Sequence, residues 1–129
     1  MLIEYEGGSR ECGNHADITA VLELRNKNGV NEFWVYLSDE MNPCLAILAK
    51  DNAATVNYFF EDGNPGFRAV NGASAVNEDG YDIHVGGNAY HLPSDGLLPF
   101  DAVIAAVLQA FDTRGRPDNL LWEALWVEA

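Results

Sequence analysis

The most constraining stretch of the chain is CLAILAKDNAATVNYFF, residues 44–60, in which two apolar runs are separated only by a short polar break at Lys50, Asp51 and Asn52. Parallel strands need a long crossover between them, so a break this short predicts an antiparallel hairpin. The second run, ATVNYFF, is rich in β-branched and aromatic residues, which suit a pleated surface. Other strand patterns surround this hairpin. In FWVYL, Phe33, Val35 and Leu37 point one way and Trp34 and Tyr36 the other. FRAV follows the turn EDGNPG, and YDIHV and AYHL flank Gly86-Gly87-Asn88 as a second hairpin. NGASAVNEDG reads as a loop.

Helical patterns stand on either side of these strands. Over residues 15–28, Ile18, Val21, Leu22 and Arg25 recur at helical spacing, with Leu24 at the edge. Asn14 is placed to cap the start, Glu23 and Lys27 form a favourable pair, and Gly29 suits the stop. FDAVIAAVLQAF carries a cleaner stripe: Val103, Ile104, Val107, Leu108 and Phe111. Gly115 is expected to take the left-handed conformation that ends this helix, and Pro117 to prevent a restart. Leu120, Leu121 and Trp122 then supply apolar bulk to cover the sheet or helix. Helix, strands, helix predicts an α+β fold, a mainly antiparallel β-sheet with an N-terminal and a C-terminal helix packed on it. The 129 residues suit one domain, 1–129.

Acidic residues outnumber basic ones 20 to 7, for a formal charge of −13. Phosphate recognition needs Lys and Arg, so nucleic acid and anionic membrane are not expected partners; a basic protein is. The start, MLIEYEGGSRE, lacks the order of a signal peptide, and no apolar run approaches the roughly 18 residues of a membrane span, which predicts a cytoplasmic protein. Two cysteines, Cys12 and Cys44, are too few for a disulfide framework.

Catalytic patterns fare poorly. Cys12 and His15 form one Cys-x-x-His, and His84 and His91 flank a hairpin, but zinc sites ordinarily pair two such motifs. There is no nucleophile elbow. Gly86-Gly87-Asn88 lacks the Lys-Ser/Thr of a phosphate-binding loop. The adjacent acids Asp39-Glu40, Glu61-Asp62 and Glu78-Asp79 fall in polar connections, where water solvates both carboxylates, and not across a cleft as glycoside hydrolysis requires. No catalytic residue, metal or cofactor is predicted.

One positive pattern remains. Acids at 39, 40, 51, 61, 62, 78, 79, 82 and 95 are opposed over that stretch only by Lys50 and Arg68. Most of them lie between strands, where several can share one rim. Asp39, Glu40, Glu61, Asp62, Glu78 and Asp79 are the candidate binding residues.

The C-terminal pattern F…R-P-x-x-L-x-W, formed by Phe111, Arg116, Pro117, Leu120 and Trp122, resembles the signature of the Imm-one family, immunity proteins of bacterial polymorphic toxin systems. Residues 45–67 are similar to that family's pair of strands and glycine-containing loop. The resemblance covers residues 33–125. It implies a non-enzymatic inhibitor that binds one cognate toxin domain, one to one, the toxin being a nucleic-acid deaminase or a nuclease. Such toxins hold substrate in basic clefts, which acidic loops would occlude. The signature residues themselves read as structural. Two rivals are a small metal-dependent enzyme built around His84 and His91, and a general acidic interaction module.

Overall fold

A computed structural model describes residues 1–61, 63–72 and 78–126. The hairpin that dominates the sequence is present: β4 (Cys44–Lys50) and β5 (Ala53–Phe59) pair antiparallel from Cys44↔Phe59 to Lys50↔Ala53. On the other side of β4 lies β3 (Val30–Tyr36), paired along its whole length. Beyond β3 come β1 (Leu2–Tyr5) and β2 (Gly8–Glu11), and beyond β5 come β6 (Phe67–Val70) and β10 (Leu121–Ala124). The order is β10-β6-β5-β4-β3-β1-β2, every pairing is antiparallel, and the two-residue β9 (Leu98–Pro99) joins the start of β5. β7 (Tyr81–Val85) and β8 (Asn88–Leu92) form a separate two-stranded sheet. With α1 (His15–Leu22) and α2 (Phe100–Thr113), this is the expected α+β class. Among the described residues, no helix is long and apolar enough to cross a membrane.

Alternation along the strands sorts residues onto two faces. Phe33, Val35, Leu45, Ile47 and Val56 are buried beneath α1 and α2, together with Ile18, Leu22, Val103 and Val107. Asn31 is the one buried polar side chain among the described residues. Its Oδ1 accepts from the Glu6 and Glu32 amides, and its Nδ2 donates to the Leu24 carbonyl. Among the described residues the other face carries no α-helix, only the short 3-10 turn Ser94–Gly96 against Thr55 and Arg68. The β7–β8 hairpin covers one end of it, packing Ile83, Val85 and Leu92 onto Val30 and Ala53. At its tip the Gly86 amide donates to Glu6 Oε2, which ties this hairpin to the β1–β2 turn.

Three expectations about the helix ends need correction. Asn14 does cap α1, accepting from the Asp17 amide at 2.9 Å, but the helix stops at Leu22 and not at residue 28. Arg25 folds back and donates to the Leu22 and Leu24 carbonyls, which satisfies the helix end from outside the helical path. Glu23 and Lys27 are therefore not a helical pair. Gly29, at φ +77°, serves the turn into β3, where its carbonyl accepts from the Asp51 amide. At the end of α2 the left-handed residue is Arg114 (φ 60°), not Gly115. The helix runs to Thr113, the Arg114 amide bonds the Ala110 carbonyl, and the guanidinium lies 4.8 Å from the Phe111 ring centroid.

The C-terminal segment departs from expectation in a fourth way. It does not merely cover the sheet: Leu121–Ala124 extends it as β10, in register Leu121↔Val70 to Ala124↔Phe67. Pro117 is buried and its carbonyl accepts from Trp122 Nε1 at 2.7 Å. The Trp122 ring meets Tyr58, and Arg116 lies over Phe67 and Trp122. Leu120 and Phe111 pack against the main core.

Candidate protein interface

On the helix-free face, Trp34 and Tyr36 of β3 stand beside Ala46 of β4 and Phe59 of β5, because the register puts Trp34 opposite Ala46 and Cys44 opposite both Tyr36 and Phe59. Trp34 and Phe59 stack, with centroids 6.2 Å apart and planes 25° from parallel. A groove of about 300 Å³ opens over them, walled by Met41, Asn64 and Glu61. A second hollow of about 180 Å³ continues from Trp34 and Phe59 toward Tyr90 of the covering hairpin. A third, of about 830 Å³, lies around Tyr36, Glu4, Asp39 and Glu40. Met41 is 70% exposed at the wall of the first groove.

Glu4 and Glu32 of this face lie in strands beside the aromatic residues. Glu32 Oε1 accepts from Trp34 Nε1 at 2.9 Å, and Glu4 Oε2 accepts from the Tyr36 hydroxyl at 3.2 Å. Burial first, and then the Glu4 charge, hold the Tyr36 phenol above its ordinary pKa, so it stays a neutral donor. The sequence reading, which looked for acids in connections, passed over both. Their signal is alternation: Glu32, Trp34 and Tyr36 are two apart on one strand.

Of the predicted binding residues, Asp39 and Glu40 lie in the β3–β4 connection and Glu61 in the β5–β6 connection, at the same end of the sheet. All three are exposed. Asp62 falls outside the described residues. Glu78 and Asp79, also exposed, precede β7, whose hairpin packs on the starts of β3 and β5 at the opposite end. Asp39, Glu40 and Glu61 thus share one end of the sheet, and Glu78 and Asp79 lie away from it.

Cations do little to neutralise this charge, because each arginine is employed within the molecule. Arg10 pairs with Asp17 at 2.9 Å. Arg68 forks onto Asp95 at 2.8 and 2.7 Å and reaches Glu123 at 3.2 Å. Arg25 lies 4.2 Å from the Phe100 centroid, and Arg114 and Arg116 lie over rings already named. The metal reading gains no support. His15 bonds Asp112 and His91 bonds Asp82, each in a separate exposed pair, and His84 is exposed on β7. Among the described residues, no three potential ligands gather.

Two carboxyls couple this framework to pH. The Gly86 amide, then Asn26, hold Glu6 below its ordinary value, and the Arg68 hydrogen bonds do the same to Asp95. A depressed folded pKa contributes stability that is complete above the unfolded value and lost as pH falls through the folded one. Stability is therefore expected to decline from about pH 5 downward. In urea titrations at stepped pH, the Glu6→Gln and Asp95→Asn variants should show a shallower decline than the wild type; an unchanged slope would remove these two groups from the account.

The described residues assemble an antiparallel sheet with one face sealed by α1 and α2 and another that carries Trp34, Tyr36 and Phe59 beside the Glu4 and Glu32 carboxylates. No family model matches the chain. The chain is similar to a protein of Burkholderia cenocepacia (strain H111) described as a double-stranded DNA deaminase immunity protein. The two are 29% identical over 118 residues, covering 92% of this chain and 94% of that protein.

Proposed function

We propose that this protein is an immunity protein that binds a cognate toxin domain, one to one, and neutralises it without catalysis. The observation that carries this is the near full-length similarity to a deaminase immunity protein. The Imm-one-like pattern from Phe111 to Trp122 and the charge of −13 support it independently. The toxin is taken to be a nucleic-acid deaminase acting in the bacterial cytoplasm. Such an enzyme must hold a polyanion, so its substrate cleft carries Lys and Arg. Carboxylates at Asp39, Glu40 and Glu61 would pair with those cations and exclude the substrate. Glu78 and Asp79, at the other end, would have to reach a separate part of the toxin.

The test is co-expression with the toxin domain encoded beside this chain, followed by gel filtration and a viability count. Co-elution at one to one with restored growth is expected. Absence of both would remove the cognate-inhibitor reading. Within the complex, reversing Asp39, Glu40 and Glu61 together to Lys should weaken binding about a hundredfold or more, mostly by slowing association. The thermal midpoint of the free protein should hardly move, since all three are exposed. Undiminished binding would mean that these carboxylates do not face the toxin.

A further inference from the structure

We propose that the toxin docks on the helix-free sheet face over the Trp34–Phe59 stack, and that an arginine from its substrate cleft lies on that stack; this rests on the immunity reading above. The acidic loops at Asp39, Glu40 and Glu61 would then be the border of a contact whose centre is on the strands.

The chemistry of the face selects the occupant. Trp34 and Phe59, stacked with centroids 6.2 Å apart and planes 25° from parallel, form an apolar platform at the floor of the groove of about 300 Å³. The indole is held in place by its bond to Glu32, and Tyr36 by its bond to Glu4. Those carboxylates are hydrogen-bonded to neutral donors, and among the described residues no cation pairs with either one or with Glu61. A ligand that fits must be flat enough to stack on an aromatic ring and must carry in-plane donors for the surrounding carboxylates. A guanidinium meets both requirements, and an ammonium meets the second alone.

The same pairing recurs inside the molecule, where Arg25 lies 4.2 Å from the Phe100 centroid and Arg116 lies 4.5 Å from that of Phe67. A second copy of the chain is a poor source of the arginine, because each of its own is already held by a ring or a carboxylate. Nucleic acid is repelled by the carboxylates. A basic protein cleft remains. The exposed Met41 at the groove wall supplies apolar contact around the arginine.

The experiment is calorimetric titration of a catalytically inactivated toxin domain into the wild type and three variants, with the thermal midpoint of each measured alone. Trp34→Ala removes the platform and should weaken binding about thirtyfold or more. Glu4→Gln with Glu32→Gln removes two charges and leaves an acceptor for both Tyr36 and Trp34, so it tests the face without relying on a truncated tryptophan. It should weaken binding about tenfold and flatten the salt dependence. Glu23→Gln with Asp101→Asn removes the same charge from the helix layer and should bind as the wild type does. A wild type that does not bind overturns the immunity reading and this inference with it. A wild type that binds, with the Trp34 and double-Gln variants within about twofold of it, overturns docking on this face and leaves the immunity reading standing. Equal losses in the two double variants would also overturn it, since net charge and not position would then govern binding.

Discussion

Phe33→Ala is expected to cost about 3–5 kcal/mol of folding stability, the largest loss from any single truncation on the sheet. The ring is wholly buried in the middle of β3, between Tyr5 on one neighbouring strand and Ile47 on the other. The Arg25 guanidinium stands 5.8 Å from its centroid, on the side where the chain leaves α1. Removing the ring leaves a void in the layer where helix and sheet meet, and strands paired on both sides cannot close in to fill it. The thermal midpoint should fall by roughly 10–20 °C for a chain of this length. Chemical denaturation at fixed pH measures the loss directly, and one under about 1 kcal/mol would be incompatible with so central a position.

Gly66→Ala should follow, at about 2–4 kcal/mol, for a different reason. Gly66 has φ +77°, and a β-carbon there would run into the carbonyl oxygen of Tyr58 and come within 2.9 Å of a Phe59 ring carbon. The strain cannot be relieved locally, because the Gly66 amide donates to Asn64 Oδ1 at 2.8 Å and its carbonyl accepts from the Leu125 amide at 2.9 Å. The substitution therefore acts at two places: the turn that carries Glu61, and the anchorage of the C-terminal strand. Hydrogen exchange at the Leu125 amide should accelerate along with the global loss. A variant as stable as the wild type, with Leu125 still protected, would mean that the turn can be rebuilt without its left-handed residue.

What could be read in the sequence depended on whether a residue's partner was near it in the chain. The 44–60 hairpin and the 81–92 hairpin declare both strands and the turn between them. The α2 stripe declares its own buried face, and it ends at Thr113 close to where its last apolar residue falls. By contrast β2, with sequence GSRE, is exposed throughout and has no apolar alternation; it is a strand because Leu2–Tyr5 offers it an edge. β10 likewise needs FRAV, far back along the chain. The early end of α1 needs Arg25 to turn back, a tertiary event that helical periodicity does not encode.

The candidate site follows the same rule. Trp34 and Tyr36 were legible as a pair on one side of a strand, but their meeting with Phe59 requires the register of two hairpins. A search of connections for acids recovers Asp39, Glu40 and Glu61 and misses Glu4 and Glu32. Whether loop acids converge depends on which end of the sheet each connection occupies, and that separates Glu78 and Asp79 from the others.

Phe33 and Trp34 are adjacent in the chain and answer to different constraints. The first is sealed under the helices, and the second opens onto the surface. Away from the end that the β7–β8 hairpin covers, the central strands repeat this division, so those outward positions can be exchanged with little disturbance to the inward ones. A lineage carrying such a sheet can revise that outer surface residue by residue while the architecture beneath is inherited intact.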